Sequence, residues 1–341
     1  MFSTFYIDQI QQESATIQSF YLKPKDGKPL LTYLPGQFIS LKINATEGEI
    51  IARNYTLSDA PNKEYYRLSI KRESLGKASR HFHDVFKVGS ELEVSEPMGK
   101  FYLDTTISKP AILLSGGVGI TPMMSMLEYT STQQLERKIH FIHSSLNKEV
   151  QPFFERLTHL KNQLTNMELT VFHTDPIVTE KIGIDYDFEG FVSQKILAKT
   201  VELEGDYFLC GPVSFMEAMF KHLLDLGVSE SNINYEFFGE NKPLGAKPSF
   251  KDSNTTKAYK IFFTDSKLET EWNAKAQNIL ELAESEGLTP PNSCRMGTCS
   301  TCESTLVSGT IEYDPEPFME AEQGKIFICC AKPTSDVQIE I

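Results

Sequence analysis

The chain has 341 residues, 40% of them hydrophobic and 23% charged, the make-up of an ordinary globular protein of two or three domains. Its net charge of −13 argues against nucleic acid as a partner. No apolar run approaches the length of a membrane span, and residues 1–20 lack a basic start followed by an apolar core, so neither membrane insertion nor a secretory leader is expected.

Residues 1–105 read as β structure. Phe2–Ile10, Thr16–Leu22, Gln37–Leu41, Tyr66–Ile70 and Glu91–Val94 are short and rich in β-branched and aromatic residues, with turns such as Lys25-Asp26-Gly27 and Pro35-Gly36 between them. One short helix is expected at Ala78–Val85, and a small antiparallel barrel is the natural closure. Arg53-Asn54-Tyr55-Thr56-Leu57-Ser58 closes a strand in this region. A guanidinium can grip a phosphate bidentately, an aromatic ring two residues on can stack on a flat heterocycle, and the next hydroxyl can reach a ring nitrogen. Taken alone, such an Arg and Tyr are more often a surface and a core residue. Ile70-Lys71-Arg72 leads into Gly76-Lys77-Ala78-Ser79 at a helix start. Unpaired N–H groups there can bind phosphate, although simple capping has the same appearance.

Residues 106–240 alternate strand and helix, which predicts a parallel, doubly wound sheet. Strands are expected at Ala111–Leu114, Lys138–His143, Glu168–His173, Asp206–Cys210 and Asn232–Phe237. Helices are expected at Thr121–Thr130, Gln151–Leu160, Gln194–Ala198 and Val213–Leu226. Between the first strand and helix stands Ser115-Gly116-Gly117-Val118-Gly119-Ile120-Thr121-Pro122, where Gly116, Gly117 and Gly119 allow a pyrophosphate close to the backbone. Pro122 occupies the place of the third glycine in the usual dinucleotide fingerprint. Cys210-Gly211-Pro212 and Glu236-Phe237-Phe238-Gly239 each end a parallel strand, where ligands of such sheets bind. Phe238 could cover a flat cofactor edge; core packing is the plainer reading of both segments.

Residues 241–255 are rich in Pro, Gly, Ser and Lys and read as a linker. Residues 256–341 predict an α+β domain with a helix at Lys275–Ser285, stopped by Gly287. They hold seven Lys and Arg against fourteen Asp and Glu. That density suits a basic docking face on a partner protein, or simply a solvated surface. Cys294-x4-Cys299-x2-Cys302, with Cys329 following, has the spacing of a plant-type [2Fe–2S] site. Zinc sites favour two close cysteine pairs, and a Rieske centre needs two histidines. Of the remaining cysteines, Cys210 and Cys330, neither implies a disulfide, and this usage fits a reducing cytoplasm.

In this order the segments resemble the ferredoxin–NADP reductase superfamily, above all the reductase part of flavohaemoglobins, with residues 256–341 similar to plant-type ferredoxins through Cys329-Cys330-Ala331-Lys332-Pro333. The module order is similar to that of phthalate dioxygenase reductase, the reductase subunit of phenylacetyl-CoA epoxidase and the reductase of hybrid-cluster protein. The resemblance implies an antiparallel β-barrel FAD domain (1–105), a doubly wound α/β NAD(P) domain (106–240) and a β-grasp ferredoxin domain (256–341). It implies that Arg53, Gly76, Lys77, Ala78 and Ser79 hold the flavin phosphates, Tyr55 stacks on the ring, Thr56 approaches N5, and Ile70 and Lys71 offer backbone contacts. Gly116, Gly117, Gly119 and Thr121 would receive the nicotinamide nucleotide, with Cys210, Gly211, Pro212 and Phe238 around the nicotinamide. Cys294, Cys299, Cys302 and Cys329 would hold the cluster. Cys330 is expected to point away from it, since neighbours on an extended segment face opposite ways. Two departures stand out: Thr56 replaces a Ser, and Phe38 a Tyr. The chain opens on the flavin-type segment, so haem dioxygenase chemistry is not expected to carry over.

The implied function is an NAD(P)H oxidoreductase that passes electrons through FAD and the cluster to a partner oxygenase or hydroxylase component. A hybrid-cluster protein is a rival acceptor. A ferredoxin-type carrier with an inactive reductase module is the other class, against which the intact glycines and Arg53 argue. In His143-Ser144-Ser145-Leu146-Asn147-Lys148, where the adenosine ribose is expected, there is one Lys and no Arg, and Glu149 is the nearest acid in sequence. That predicts a modest preference for NADH.

Overall fold

The computed structural model describes residues 2–44, 50–200, 202–238, 244, 259–272, 276–292, 295, 297, 301–314, 317 and 320–341. By contact the chain forms two compact units, Met1–Ile39 with Tyr55–Ala246, and Ser40–Asn54 with Lys247–Ile341. No helix among the described residues is long and apolar enough to cross a membrane.

Six strands, β1 (Phe2–Gln12), β2 (Ile17–Pro24), β3 (Phe38–Asn44), β4 (Ile50–Thr56), β5 (Tyr66–Lys71) and β6 (Glu91–Ser95), make the expected barrel-like antiparallel sheet. Within the first unit β6, β1, β2 and β5 are successive neighbours, and Phe38 at the head of β3 bridges Met98. Alternation sends Phe5, Ile7, Phe20, Leu22, Leu68 and Ile70 inward. Helix α1 (Lys77–Asp84) closes one side, with Phe82 edge-on to Phe20 at 4.9 Å.

The second sheet of this unit is parallel and built from β7 (Ala111–Gly116), β8 (Ile139–Ser145), β9 (Met167–His173), β10 (Phe188–Glu189), β11 (Asp206–Cys210) and β12 (Ile233–Glu236), in the order β10-β9-β8-β7-β11-β12. Its strands are apolar on both faces. Ala111 and Leu113 pack toward α2 (Ile120–Gln133) and α3 (Phe154–Gln163), while Ile112 and Leu114 pack toward α5 (Val213–Asp225). A short helix, α4 (Gln194–Leu197), precedes β11. Helix α3 starts later than the Gln151 expected, because Phe153 sits at φ 59°, outside helical backbone. The strand order reverses between β7 and β11, which puts the topological switch point at their carboxyl ends.

The second unit contains a five-stranded sheet, β14-β13-β19-β15-β17, and a two-stranded one, β16-β18. Its strands are β13 (Lys260–Phe263), β14 (Leu268–Glu271), β15 (Glu303–Ser308), β16 (Ile311–Tyr313), β17 (Lys325–Phe327), β18 (Ala331–Pro333) and β19 (Val337–Ile339). Helix α6 (Ile279–Ser285) buries Ile279, Leu280, Leu282 and Ala283. It begins later than the Lys275 expected, because Asn278 caps it: the Asn278 side chain accepts from Glu281 N (3.0 Å), and Glu281 returns a bond to Gln277 N (2.9 Å). The expected linker 241–255 lies outside the described residues apart from Leu244, which is buried in the α5-side core with its N–H on Tyr235 Oη at 3.2 Å.

Candidate functional site

β4 carries Arg53, Tyr55 and Thr56 in one run. Arg53 Nη1 donates to Ala52 O at 2.7 Å, and the Tyr55 ring meets Phe82 of α1 edge-on at 5.7 Å. Further along, the Ile70 carbonyl accepts from His83 Nε2 at 2.8 Å, and Lys71 Nζ pairs with Glu73 at 2.8 Å. No side chain caps α1 at Gly76. The Ser79 hydroxyl instead folds back, accepting from Glu73 N (3.2 Å) and donating to Gly76 O (3.4 Å). Gly76, Lys77, Ala78 and Ser79 form the N-terminal turn of α1, the end of a helix that attracts an anion.

The two motifs of the parallel sheet form one backbone cradle at the switch point. Cys210 lies in register with Ser115, and a Cβ on Gly119 would stand 2.3 Å from Cys210 O and 2.6 Å from Gly211 N. A Cβ on Gly116 would reach Pro212 Cδ at 3.0 Å. Gly117 takes φ +52°, a left-handed conformation that starts the single turn into α2. The Thr121 hydroxyl donates to Val118 O at 3.2 Å. Phe238 is about half exposed beyond β12.

Thr56, Cys210 and Glu236 come together within the first unit. Cys210 and Glu236 are paired across β11 and β12. The Thr56 hydroxyl lies near enough to the Glu236 carboxyl to lower its pKa. Glu236 is half-buried as a residue, yet its Oε2 is sealed from solvent and without a hydrogen-bond partner among the described residues. Burial raises this carboxyl from 4.5 to about 8, against the nearby Thr56 hydroxyl, which lowers it. Burial, with the Glu236 charge adding to it, pushes the Cys210 thiol well up, so the thiol stays protonated. An orphaned acceptor beside a hydroxyl and a thiol, at strand ends that bind ligands, fits a flavin edge meeting a nicotinamide. The sequence reading placed Glu236 in a motif but gave it no role; its position at the carboxyl end of a parallel strand was the available signal.

The ribose segment differs from expectation. Lys148 Nζ pairs with Asp185 Oδ1 at 2.7 Å and lies 4.2 Å from the centre of the Phe154 ring. Lys148 N–H donates to Glu180 Oε1 at 2.9 Å, and Glu180 Oε2 meets His173 Nδ1 at 2.5 Å. The acids that matter here are thus Asp185 and Glu180, distant in sequence, alongside Glu149. His143, fully buried, spans Ser115 Oγ and Ser145 Oγ at 2.8 Å each.

In the second unit, Cys302 Sγ and Cys329 Sγ are 3.0 Å apart and buried. Cys294 and Cys299 lie outside the described residues. Between them Gly297 takes φ +62°, and a Cβ there would stand 2.4 Å from Pro317 Cβ. Two close thiols, with a glycine at 297 where a Cβ has no room, fit a cluster of iron and sulfide. The expected opposition of Cys329 and Cys330 does not hold. Residues 328–330 turn between β17 and β18, and the two sulfurs are 3.6 Å apart. Turn geometry replaces the strand geometry on which that expectation rested.

The family described as Oxidoreductase FAD-binding domain matches residues 4–102, Oxidoreductase NAD-binding domain matches 113–221, and 2Fe-2S iron-sulfur cluster binding domain matches 261–334. The chain is 40% identical over 248 residues to Flavohemoprotein A of Dictyostelium discoideum, covering 69% of this chain and 60% of the relative. It spans about 60% of the length of the curated relatives it matches. The flavohem-like FAD/NAD-binding domain of nitric oxide dioxygenase from Vibrio cholerae superposes with a TM-score of 0.63 at 32% identity, over 70% of this chain and 99% of that one. Phthalate dioxygenase reductase shares the fold over 100% of this chain and 98% of its own, with a TM-score of 0.62 at 22% identity.

Proposed function

The chain belongs to the ferredoxin–NADP reductase superfamily, with a 2Fe-2S domain behind its reductase modules, and from this we infer that it relays electrons from a nicotinamide nucleotide to a separate protein. It is an NAD(P)H oxidoreductase that uses FAD and a [2Fe–2S] cluster. When bound, FAD takes two electrons together from the nucleotide and releases them singly to the cluster. The chain's own residues bind, orient and exclude water.

The flavin module is 1–105, the nicotinamide module 106–240 and the ferredoxin module 256–341. Arg53, Gly76, Lys77, Ala78 and Ser79 hold the flavin phosphates, Tyr55 stacks on the ring, Thr56 faces its reacting edge, and Ile70 and Lys71 contribute backbone. Gly116, Gly117, Gly119 and Thr121 take the nucleotide, with Cys210, Gly211, Pro212 and Phe238 around the nicotinamide. Cys294, Cys299, Cys302 and Cys329 bind iron. One observation carries the reading: Glu236, in register with Cys210 of the nicotinamide-type sheet, keeps a sealed and unpartnered Oε2 at the strand ends, with Thr56 of the flavin-type strand close by. Asp185 on Lys148 supports NADH over NADPH, because a 2′-phosphate would have to displace that carboxylate.

The acceptor is an oxygenase component in the cytoplasm. The fold shared with phthalate dioxygenase reductase, a modular protein for electron transfer from pyridine nucleotides to [2Fe–2S], supports this. The test is anaerobic addition of NADH to purified protein, with and without Cys294→Ser. The variant should lose iron and keep reduction of an artificial dye. A wild-type protein that carries full FAD but reduces no dye would refute the reductase and leave the carrier.

A further inference from the structure

Arg67 on β5 is one of two deeply buried arginines among the described residues, 7% exposed, and nothing in the site above uses it. Its guanidinium spends every edge on one neighbourhood. Nη2 donates to Ser58 O, Nε donates to Ser58 Oγ at 3.2 Å, and Nη1 pairs with Asp59 Oδ2 at 3.5 Å. Ser58 answers through its N–H and hydroxyl, both to Arg67 O, at 2.9 and 3.1 Å. Arg67 Cζ lies over the ring of Phe153, the N-cap residue of α3, 5.1 Å from the ring centre.

These contacts reach across the unit. The Asp59 carbonyl accepts from Ser125 Oγ of α2 at 2.8 Å and from Tyr33 Oη at 2.7 Å, while Gly36 N–H donates to the same Ser125 hydroxyl at 3.3 Å. Arg67 therefore holds the run Ser58-Asp59, which begins two residues past Thr56, against Phe153 at the head of α3, while the Asp59 carbonyl itself reaches α2 through Ser125. A buried ion pair is poor value as a stabiliser, since apolar side chains of equal volume often do as well or better. What the guanidinium adds over an apolar residue is a fixed geometry, with several donors in one rigid plane.

We propose that Arg67 is a positioning residue for electron transfer from nucleotide to flavin, bracing the Thr56–Asp59 segment against α2 and α3. It deepens the reductase reading and rests on it. The nucleotide gives up a hydride, two electrons and a proton, to the flavin, so the distance between the two rings sets the rate. A displacement near 1 Å at such a step costs about a hundredfold.

The experiment is stopped-flow reduction of the FAD-loaded full chain by NADH and by NADH deuterated at the transferred position, on Arg67→Met, Arg67→Lys and Ser125→Ala. Flavin content and NAD+ dissociation constants are measured alongside. In Arg67→Met the limiting rate of flavin reduction should fall at least tenfold, the primary isotope effect should rise, and flavin content and the dissociation constant should stay within twofold. Arg67→Lys and Ser125→Ala should fall between wild type and Arg67→Met. Wild-type rates in a fully flavinated Arg67→Met would overturn the proposal, as would a loss explained by missing flavin or weakened nucleotide binding. If Arg67→Met does not fold, unchanged rates in both other variants overturn it. A wild-type chain that takes up no FAD refutes the flavin reading itself, a result distinguishable from all of these.

Discussion

Glu236→Gln should make the stability of the first unit insensitive to pH where the wild type is not. Below pH 4.5 the folded and unfolded chains both hold the carboxyl proton, and burial of this group costs little. Between 4.5 and about 8 the unfolded chain ionises while the folded chain keeps its proton, so stability falls as pH rises. Above about 8 both forms are ionised and the loss levels off. At about 1.36 kcal/mol per pH unit, the whole interval sets a ceiling of about 5 kcal/mol. Glu236 is half-buried as a residue, and Thr56 nearby favours its charged form, so water and that hydroxyl relax the site; about 2 kcal/mol is the expected loss. For a unit of this size that is about 4–8 °C in unfolding midpoint. The assay is thermal unfolding from pH 5 to 9, followed by flavin release with FAD in fixed excess. Glu236→Gln should gain on the wild type up to pH 8 and hold the difference beyond. Parallel curves across the range would show that Glu236 does not keep its proton in the folded chain.

Gly119→Ala should raise the KM for the nucleotide at least tenfold with flavin content unchanged, because the new methyl meets Cys210 O at 2.3 Å and the cradle must open; an unchanged KM would remove the cradle from the nucleotide site. Cys329→Ala should lose iron and Cys330→Ala should keep it, since Cys329 is the one whose sulfur lies 3.0 Å from Cys302 Sγ; iron analysis giving the reverse would exchange their roles. Steady-state kcat/KM should favour NADH by less than about 2 kcal/mol, a factor of about thirty. A hundredfold preference for NADPH would mean that the ribose segment has been misplaced.

Much of the fold was legible because its signals are local. The barrel strands alternate, the parallel strands are uniformly apolar, and Gly116-Gly117-Val118-Gly119 sits where a strand hands over to a helix. The cysteine spacing names its chemistry without a structure. What escaped was set by contacts between residues far apart in the chain. Asp185 reaches Lys148 from a later loop, Arg67 answers Ser58 from the next strand, and Glu236 comes beside Cys210 only when β11 and β12 pair. The start of α3 was missed because it depends on one left-handed residue, Phe153, which no periodicity announces. The opposition expected of the Cys329 and Cys330 side chains fails because residues 328–330 turn rather than extend.

Burial holds the His143 ring neutral, its pKa pushed down to about 3, so it carries one proton for two nitrogens. Each nitrogen faces a serine hydroxyl. If Nδ1 has the proton, Ser115 receives and Ser145 must give; if Nε2 has it, the two hydroxyls exchange parts. Ser115 leads into the glycine turn, whereas Ser145 closes the neighbouring strand. A ligand that demands a hydrogen from Ser145 therefore compels Ser115 to turn its own hydrogen to the ring, and one that accepts from Ser115 fixes Ser145 as the donor. The imidazole works as a see-saw, keeping the polarity of the two strand ends opposite whatever occupies them.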